Sequence, residues 1–303
     1  MRYAVTGAAG FIGSHLADAL LADGHDVVGI DCFSDHYDPQ LKDENARAIE
    51  VLQLDLAADQ LDLSGFDGVF HLAAQPGVRS FGDVFPHYLR NNVLASQRVF
   101  EAAVESGVRV VYSSSSSVYG DAERFPTPED TDTRPISPYG ITKLAAEHLA
   151  RAYAHSFGLD VVVLRYFNAF GPRQRPDMAF TRMAFALAEG RPFDLYGDGG
   201  QSRSWTYVAD VVSATELAMA GGEGTLNVGG GVEASMREAI EILERVSGRR
   251  LDLREAPAVP GDQRRTRADT TRIRERLGWL PEVSLEDGLS AQWEWASARV
   301  AAP

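Results

Sequence analysis

Residues 2–31 read RYAVTGAAGFIGSHLADALLADGHDVVGID, and the fold is decided there. A short apolar run, Tyr3-Ala4-Val5, passes into Thr6-Gly7-Ala8-Ala9-Gly10-Phe11-Ile12-Gly13. Apolar residues at Phe11, Ile12, Leu16, Ala19 and Leu20 then recur with the period of a helix. Gly24 ends that helix, and Val27-Val28-Gly29-Ile30-Asp31 forms a second strand. This is one βαβ unit with glycines at its turn. Glycine lets the chain turn tightly and lets a pyrophosphate reach the helix N-terminus, where unpaired N–H groups and the helix dipole favour an anion. Gly7, Gly10, Phe11, Ile12 and Gly13 are the expected contacts. Asp31, at the end of the second strand, is placed to accept hydrogen bonds from both hydroxyls of a ribose. A 2′-phosphate would face that carboxylate with no Lys or Arg among residues 32–36. The expected cofactor is NAD, not NADP. Strand, glycines, helix, strand and acid in this order outweigh a glycine turn of purely structural role.

Outward from this unit the alternation continues. Strand-like runs cover residues 49–54, 68–73, 109–113 and 160–166, and helical patterns cover 91–106 and 140–157. Val161-Val162-Val163-Leu164 is apolar without alternation, as a strand covered on both faces is. The expectation is an α/β fold with a Rossmann-type, doubly wound parallel sheet. After residue 167 glycine-rich breaks cut the chain into shorter pieces. Residues 1–167, with return segments near 203–230, are expected to bind NAD. Residues 168–303 are expected to form a smaller α/β substrate-binding domain over the sheet's C-terminal edge, where open sheets take their ligands.

Composition narrows the function classes. Of 303 residues, 45% are apolar and 24% charged, ordinary for a globular protein. No apolar run reaches the roughly 18 residues of a membrane span. The first residues enter a strand directly, with no signal-peptide pattern. A single cysteine, Cys32, excludes an intrachain disulfide and a thiolate cluster, and no metal site is expected. These features suggest a cytoplasmic protein. The 29 basic residues against 43 acidic ones leave a net charge of −14, which argues against nucleic acid as a partner. An anionic ligand would need arginines gathered locally.

The chemistry lies in two further stretches. Ser113-Ser114-Ser115-Ser116-Ser117-Val118-Tyr119-Gly120 follows a strand, and Ser137-Pro138-Tyr139-Gly140-Ile141-Thr142-Lys143 opens a helix. Tyr139 and Lys143 are four apart and share a helix face. The ammonium and an oxidised nicotinamide are both expected to lower the phenol pKa from its usual value of about 10. Tyr139 then takes a proton from a sugar hydroxyl while hydride leaves the same carbon for NAD⁺. A serine at the end of the preceding strand is placed to hydrogen-bond the same oxygen.

These residues resemble the extended short-chain dehydrogenase/reductase family, the NAD-dependent epimerases and dehydratases of nucleotide sugars. The resemblance runs from about residue 1 to 290. It rests on Gly7, Gly10, Gly13, Asp31, Asp55-Leu56, His71-Leu72-Ala73-Ala74, Asn92, the serine run, Tyr139, Lys143, Arg165-Tyr166-Phe167-Asn168, Tyr196-Gly197-Asp198-Gly199, Arg203, Tyr207-Val208-Ala209-Asp210 and Gly261-Asp262. It implies that Asp55 and Leu56 flank adenine, and that Asn92 and Ser113 support the cofactor site. Leu72, Ala73, Ala74, Tyr139, Lys143 and Tyr166 also fall on its cofactor side. Ser115 would sit beside Tyr139, and Arg203 and Asn168 would lie near a substrate diphosphate. The helices at 91–106 and 140–157 carry the family's usual dimer surface, which implies a homodimer.

Within the family, 4,6-dehydratases resemble Thr-Asp-Glu where this chain has Ser115-Ser116-Ser117, so the carboxylates that remove water are missing here. Three stretches resemble uronate 4-epimerases: residues 31–42, Gln75-Pro76-Gly77-Val78-Arg79, and Gly171-Pro172-Arg173-Gln174-Arg175-Pro176-Asp177-Met178-Ala179. A UDP-glucuronate carboxylate would fall to the hydroxyls of Ser115, Ser116 and Ser117 and to Arg175, with Arg79 a second candidate. Asn168, in contrast, resembles epimerases of neutral or N-acetylated UDP-sugars. The expected function is a UDP-sugar 4-epimerase working through a 4-keto intermediate on UDP-glucuronate or a UDP-N-acetylhexosamine. A dehydratase or decarboxylase on the same fold stays open as the alternative.

Overall fold

The computed structural model describes residues 1–77, 81–230, 233–257 and 264–301. Arg79, Gly261 and Asp262 lie outside them. The chain begins with β1 (Arg2–Thr6), α1 (Phe11–Ala22), β2 (Asp26–Asp31), α2 (Pro39–Asn45), β3 (Glu50–Gln53) and β4 (Gly68–His71). It continues through α3 (Phe85–Tyr88), α4 (Ala95–Ser106), β5 (Arg109–Ser115), α5 (Pro138–Phe157) and β6 (Val161–Tyr166). Then follow β7 (Ala169–Phe170), α6 (Ala179–Glu189), β8 (Phe193–Tyr196), β9 (Ser202–Ser204), β10 (Thr206–Tyr207), α7 (Val208–Gly221) and β11 (Gly224–Val228). The last elements are β12 (Glu233–Ser235), α8 (Met236–Ser247), β13 (Leu253–Ala256), β14 (Arg265–Thr266), α9 (Thr271–Leu277) and α10 (Leu285–Ala301).

Seven strands form one sheet in the order β11-β6-β5-β4-β1-β2-β3, and every pairing in it is parallel. The direction of winding reverses between β1 and β4, the switch point at which open α/β sheets hold their ligands. Apolar residues on alternate sides of each strand meet helices on both faces. Val5, Phe70, Val111 and Leu164 pack with Leu16 and Leu20 of α1 and Val211 and Ala214 of α7. Ala4, Val69, Val110 and Tyr112 pack with Val99 and Phe100 of α4 and Ala146 and Ala150 of α5. The expected doubly wound sheet is present, and α7 with β11 supplies the return to it. Phe180, Met183, Phe193, Leu195, Ile240, Leu243 and Leu289 form a further core among α6, β8, α8 and α10.

Two local devices set the floor of the ligand-binding edge. Gly7 has φ +71, and a Cβ there would lie 2.8 Å from the Ala73 backbone nitrogen. A Cβ on Gly13 would lie 2.1 Å from the Gly7 carbonyl oxygen, so α1 packs onto its own entry turn at a distance that only glycine allows. Beneath them, Thr6 Oγ1 accepts the Leu72 and Ala73 N–H groups at 3.1 Å each and hydrogen-bonds His71 Nδ1 at 2.8 Å. His71 Nε2 reaches Ser96 Oγ, which donates to the Asn92 carbonyl. Burial, with Lys143 adding to it, pushes the His71 pKa down to about 3, so the ring is neutral and relays hydrogen bonds rather than charge.

The helical pattern expected over 91–106 is split. A π turn occupies Leu89–Leu94 and α4 begins at Ala95. Asn92 sits in that turn and spends its amide on two other segments, accepting from Gln75 N at 2.6 Å and donating to Gln75 O at 3.1 Å and to Thr142 Oγ1 at 3.0 Å. A periodicity argument cannot register an extra residue inserted for a side-chain contact.

Replacement of Gly13 by alanine is expected to destabilise the chain by about 1–3 kcal/mol or more, since the new methyl meets backbone rather than a movable side chain. Urea unfolding of Gly13→Ala against the parent chain measures it, and an unchanged midpoint would contradict the close-packing argument.

Candidate functional site

The C-terminal ends of β1, β2, β4, β5 and β6 open into a cavity of about 690 Å³. One end is lined by Gly7, Gly10, Phe11, Ile12, Gly13, Asp31, Asp55, Leu56, Leu72, Ala73 and Ala74. Helix α1 starts at this end on Gly10 with no side-chain cap and no acidic residue in its first turn. Its first N–H groups are therefore left to an anion, which is what a dinucleotide pyrophosphate requires. The Asp31 carboxylate is fixed by Ala9 N on Oδ2 (3.1 Å) and Phe33 N on Oδ1 (2.9 Å). Each oxygen keeps lone-pair capacity for a ribose hydroxyl. Asp55 bonds Arg90 and Ala57 N, and these contacts hold its carboxyl below its usual range despite some desolvation. The donor set fits NAD.

Asn92 is placed to support the site without lining it. It is 1% exposed and lies behind the cavity wall. It ties the Gln75 loop to α5 and so acts on the site through its neighbours. Tyr166 reaches the cavity, while its hydroxyl bonds Thr215 at 2.7 Å on the far side.

At the centre of the cavity β5 and α5 meet. Ser137 caps α5 by accepting from Gly140 N at 3.1 Å, and Pro138 occupies its first turn. This start aims Tyr139 at the serine strand end. Ser115 accepts from Ser117 N at 3.1 Å, donates to Ser117 Oγ at 3.1 Å, and hydrogen-bonds Tyr139. Lys143 is 1% exposed and donates to the Ser113 carbonyl at 2.7 Å. Its ammonium lies 5.9 Å from the Tyr139 ring centre and 5.0 Å from that of Tyr112.

The electrostatics differ from the expectation in sign. Burial raises the Tyr139 phenol above its ordinary value, outweighing the Arg175 charge and the Ser115 hydrogen bond that pull it down. Lys143 does not offset this, because burial pulls its own pKa down to about 7 against the opposing Glu147 carboxylate. Desolvation suppresses whichever member of a buried pair is charged. The protein alone therefore keeps the phenol protonated, and an oxidised nicotinamide bound beside it would supply the added charge that favours tyrosinate.

The far end of the cavity is lined by Ser116, Ser117, Asn168, Arg175, Asp177, Arg182, Tyr196, Arg203 and Trp205. Arg175 is gripped bidentately by Asp177, with Nε–Oδ1 and NH2–Oδ2 both 3.0 Å. Asp177 falls below its usual range because that fork outweighs its burial. Arg203 donates to the Ser202 carbonyl at 2.9 Å. Asn168, at φ +37, donates from Nδ2 to Ser204 O at 3.3 Å and Thr266 Oγ1 at 2.7 Å. Its amide nitrogen thus fastens β9 and β14 to the exit of β6, and the expected diphosphate contact does not draw on it. Arg182, Asp177, His36, Tyr37 and Lys42 line the cavity as well. The last four stand in the stretches that resemble uronate 4-epimerases, though that resemblance gives them no site role, and Arg182 stands outside those stretches. Lys42 is buried and bonded to Ser34.

The profile of the NAD dependent epimerase/dehydratase family matches residues 3–229. A UDP-glucose 4-epimerase of Mycolicibacterium smegmatis is 40% identical over 309 residues, covering 97% of this chain and 98% of the relative. A UDP-glucuronate 4-epimerase of Thermodesulfobacterium geofontis is 34% identical, covering 98% of this chain and 97% of the relative. The crystal structure of UDP-glucuronic acid 4-epimerase from Bacillus cereus, in complex with UDP-glucuronic acid and NAD, superposes with a TM-score of 0.95 at 38% identity, over 99% of this chain and 100% of that one.

Removal of the phenol oxygen tests the centre of the site. Tyr139→Phe is expected to bind NAD as the parent does and to lose roughly two to four orders of magnitude in turnover. Calorimetry and steady-state rates check the two halves separately.

Proposed function

The chain belongs to the NAD dependent epimerase/dehydratase family, and from that premise we propose that it is an NAD-dependent UDP-sugar 4-epimerase whose preferred substrate is UDP-glucuronate. One observation carries the reading: Tyr139, Ser115 and Lys143 meet in the same cavity as the dinucleotide fingerprint. NAD, when bound, supplies an acceptor that takes hydride from the substrate and returns it. The protein supplies the proton chemistry and the grip. Ser115 orients the C4 hydroxyl, and Tyr139 takes its proton as that carbon becomes a ketone. The sugar turns, and Tyr139 returns the proton as the carbon is reduced on its other face. No net oxidation results.

The uronate preference rests on the serine hydroxyls beside Tyr139 and on Arg175 at the same end of the cavity. A 4-keto uronate is a β-keto acid, which sheds CO₂ when its carboxylate aligns with the ketone. Ser116, Ser117 and Arg175 hold it out of line. The Arg175–Asp177 pair supports a second substrate, UDP-glucose. A guanidinium already neutralised by a carboxylate tolerates an uncharged C6 as well as an anionic one. The N-acetylhexosamine expectation rests on Asn168, whose amide nitrogen is committed elsewhere. Dehydration has no support from Ser116 and Ser117, which offer hydroxyls where an acid pair would be needed.

The division of labour follows the chain, residues 1–167 with the return near 203–230 for NAD and 168–303 for the UDP-sugar. The exposed apolar side chains Leu89, Leu94, Ile141 and Phe157, on the π turn and α5, support the expected homodimer through α4 and α5. Among the described residues no helix is long and apolar enough to cross a membrane, and a cytoplasmic setting is retained as part of the proposal.

Incubation with UDP-glucuronate or UDP-glucose is expected to give a product of unchanged mass, inverted at C4 by NMR. Loss of water or CO₂ from the parent chain would contradict the reading. Arg175→Ala is expected to lower kcat/KM for UDP-glucuronate about tenfold or more, from the loss of one charge-assisted contact. UDP-glucose turnover should move far less, and decarboxylated product should appear only with the variant and the uronate.

A further inference from the structure

Helix α5 carries one more residue at the spacing that joins Tyr139 to Lys143. Glu147 lies a further turn along the same face, and its side chain is 2% exposed. A carboxylate so deeply buried is found only where partners satisfy it. Glu147 Oε1 accepts from the Ser114 hydroxyl and from Arg165 Nε at 3.0 Å, and Oε2 accepts from Arg165 NH2 at 2.7 Å. Arg165 also donates to the Tyr119 hydroxyl at 2.9 Å and to the Glu129 carbonyl at 3.2 Å. Tyr119 donates onward to Asn227 Oδ1 at 2.7 Å. A buried pair of this kind is weak evidence for stability, since well-packed apolar residues often serve as well. Its position suggests what it does instead.

Ser114 stands between Ser113, whose carbonyl accepts the Lys143 ammonium, and Ser115, the partner of Tyr139. The Glu147–Ser114 bond therefore joins the middle of the serine strand end to the helix carrying the other two groups. The neighbours of Lys143 are few. Its own helix presents Tyr139 and Glu147, β5 presents Tyr112 and the Ser113 carbonyl, and β4 presents His71, held neutral. Glu147 is the one carboxylate among these described neighbours.

We propose that Glu147, forked by Arg165, is a positioning residue for the catalytic pair: through Ser114 it holds the end of β5 against α5, so that the Ser113 carbonyl stays on Lys143 and Ser115 stays beside Tyr139. The proposal rests on the roles assigned to Tyr139 and Lys143 above. Burial already pulls Lys143 down to about 7 against the charge of Glu147. Removing that charge lowers it further, so the ammonium is lost at a lower pH and function fades earlier on the alkaline side.

Two variants of the full chain test this. Glu147→Gln removes the carboxylate charge and keeps an amide oxygen for Ser114 and Arg165, and Ser114→Ala removes the mechanical link alone. Each is followed by thermal melting, by NAD⁺ affinity from neutral to alkaline pH, and by kcat and KM for the UDP-sugar. In Glu147→Gln the alkaline limb of kcat and of NAD⁺ affinity is expected to move about one pH unit lower, a tenfold loss at a fixed pH on that limb. In Ser114→Ala kcat is expected to fall about tenfold with KM little changed and the limb in place, the size of a lost hydrogen bond to a charged group. An unmoved limb in a folded Glu147→Gln variant, or a uniform loss at every pH, overturns the electrostatic role. Unchanged kcat in Ser114→Ala overturns the positioning role, and it decides alone if the Glu147→Gln variant does not fold. A parent chain that epimerises no UDP-sugar would instead fail the functional reading, and the NAD⁺ affinity profiles would then decide this one.

Discussion

An ammonium held in a dry interior is the constraint around which this molecule is arranged. Lys143 is almost wholly buried against strand β5, where an unpaired charge would be strongly disfavoured. Its surroundings answer that demand with a backbone carbonyl, two aromatic rings and a carboxylate one turn away. Each comes from an element that has to be in register for the answer to work. The carbonyl requires β5 to run on to Ser115, and the carboxylate requires α5 to continue unbroken past Glu147. The neutral His71 beside them requires the Thr6–Ser96 relay that joins β1 to α4. A parallel sheet covered on both faces is what supplies so dry a place.

Much of this was legible in the sequence, and the reason is local. The fingerprint of residues 2–31 works through steric limits that lie within a few residues of one another, as at Gly7 and Gly13. The Tyr139–Lys143 spacing is likewise a property of one helix. What could not be read were quantities set by segments far apart in the chain. The direction of the Tyr139 shift depends on how deeply β5 and α5 bury the phenol, which no spacing encodes. The engagement of Asn168 depends on Thr266, 98 positions away. The π turn at Asn92 answers to Gln75 and Thr142 rather than to its own periodicity.

The charge balance shows the same separation of scales. A chain with net charge −14 offers little attraction to a nucleotide sugar from a distance, and the cavity compensates with Arg175, Arg182 and Arg203 along one end. Arg175 reaches that end already forked to Asp177. The fork fixes its direction in advance and tempers its charge. A recognition group prepared this way orients a substrate without clamping it.

That distinction matters for the chemistry. An epimerase has to hold its reacting groups still and let the sugar turn over between two half-reactions. Ser115, Tyr139 and Lys143 all stand on β5 of the main sheet and on α5, which covers it, and are cross-tied by Ser114, Glu147 and Arg165. Tyr196 ends β8 and Trp205 lies between β9 and β10, both beside a different core, that of α6, β8, α8 and α10. On the proposed reading, grip on the nucleotide and geometry at the reacting carbon belong to different packing units that share one cavity. The sugar would lie between them, beside short hydroxyls and one pre-neutralised guanidinium. Rigid chemistry and a mobile substrate are compatible here because the stiffness sits in the sheet and its two helices, and the tether sits elsewhere.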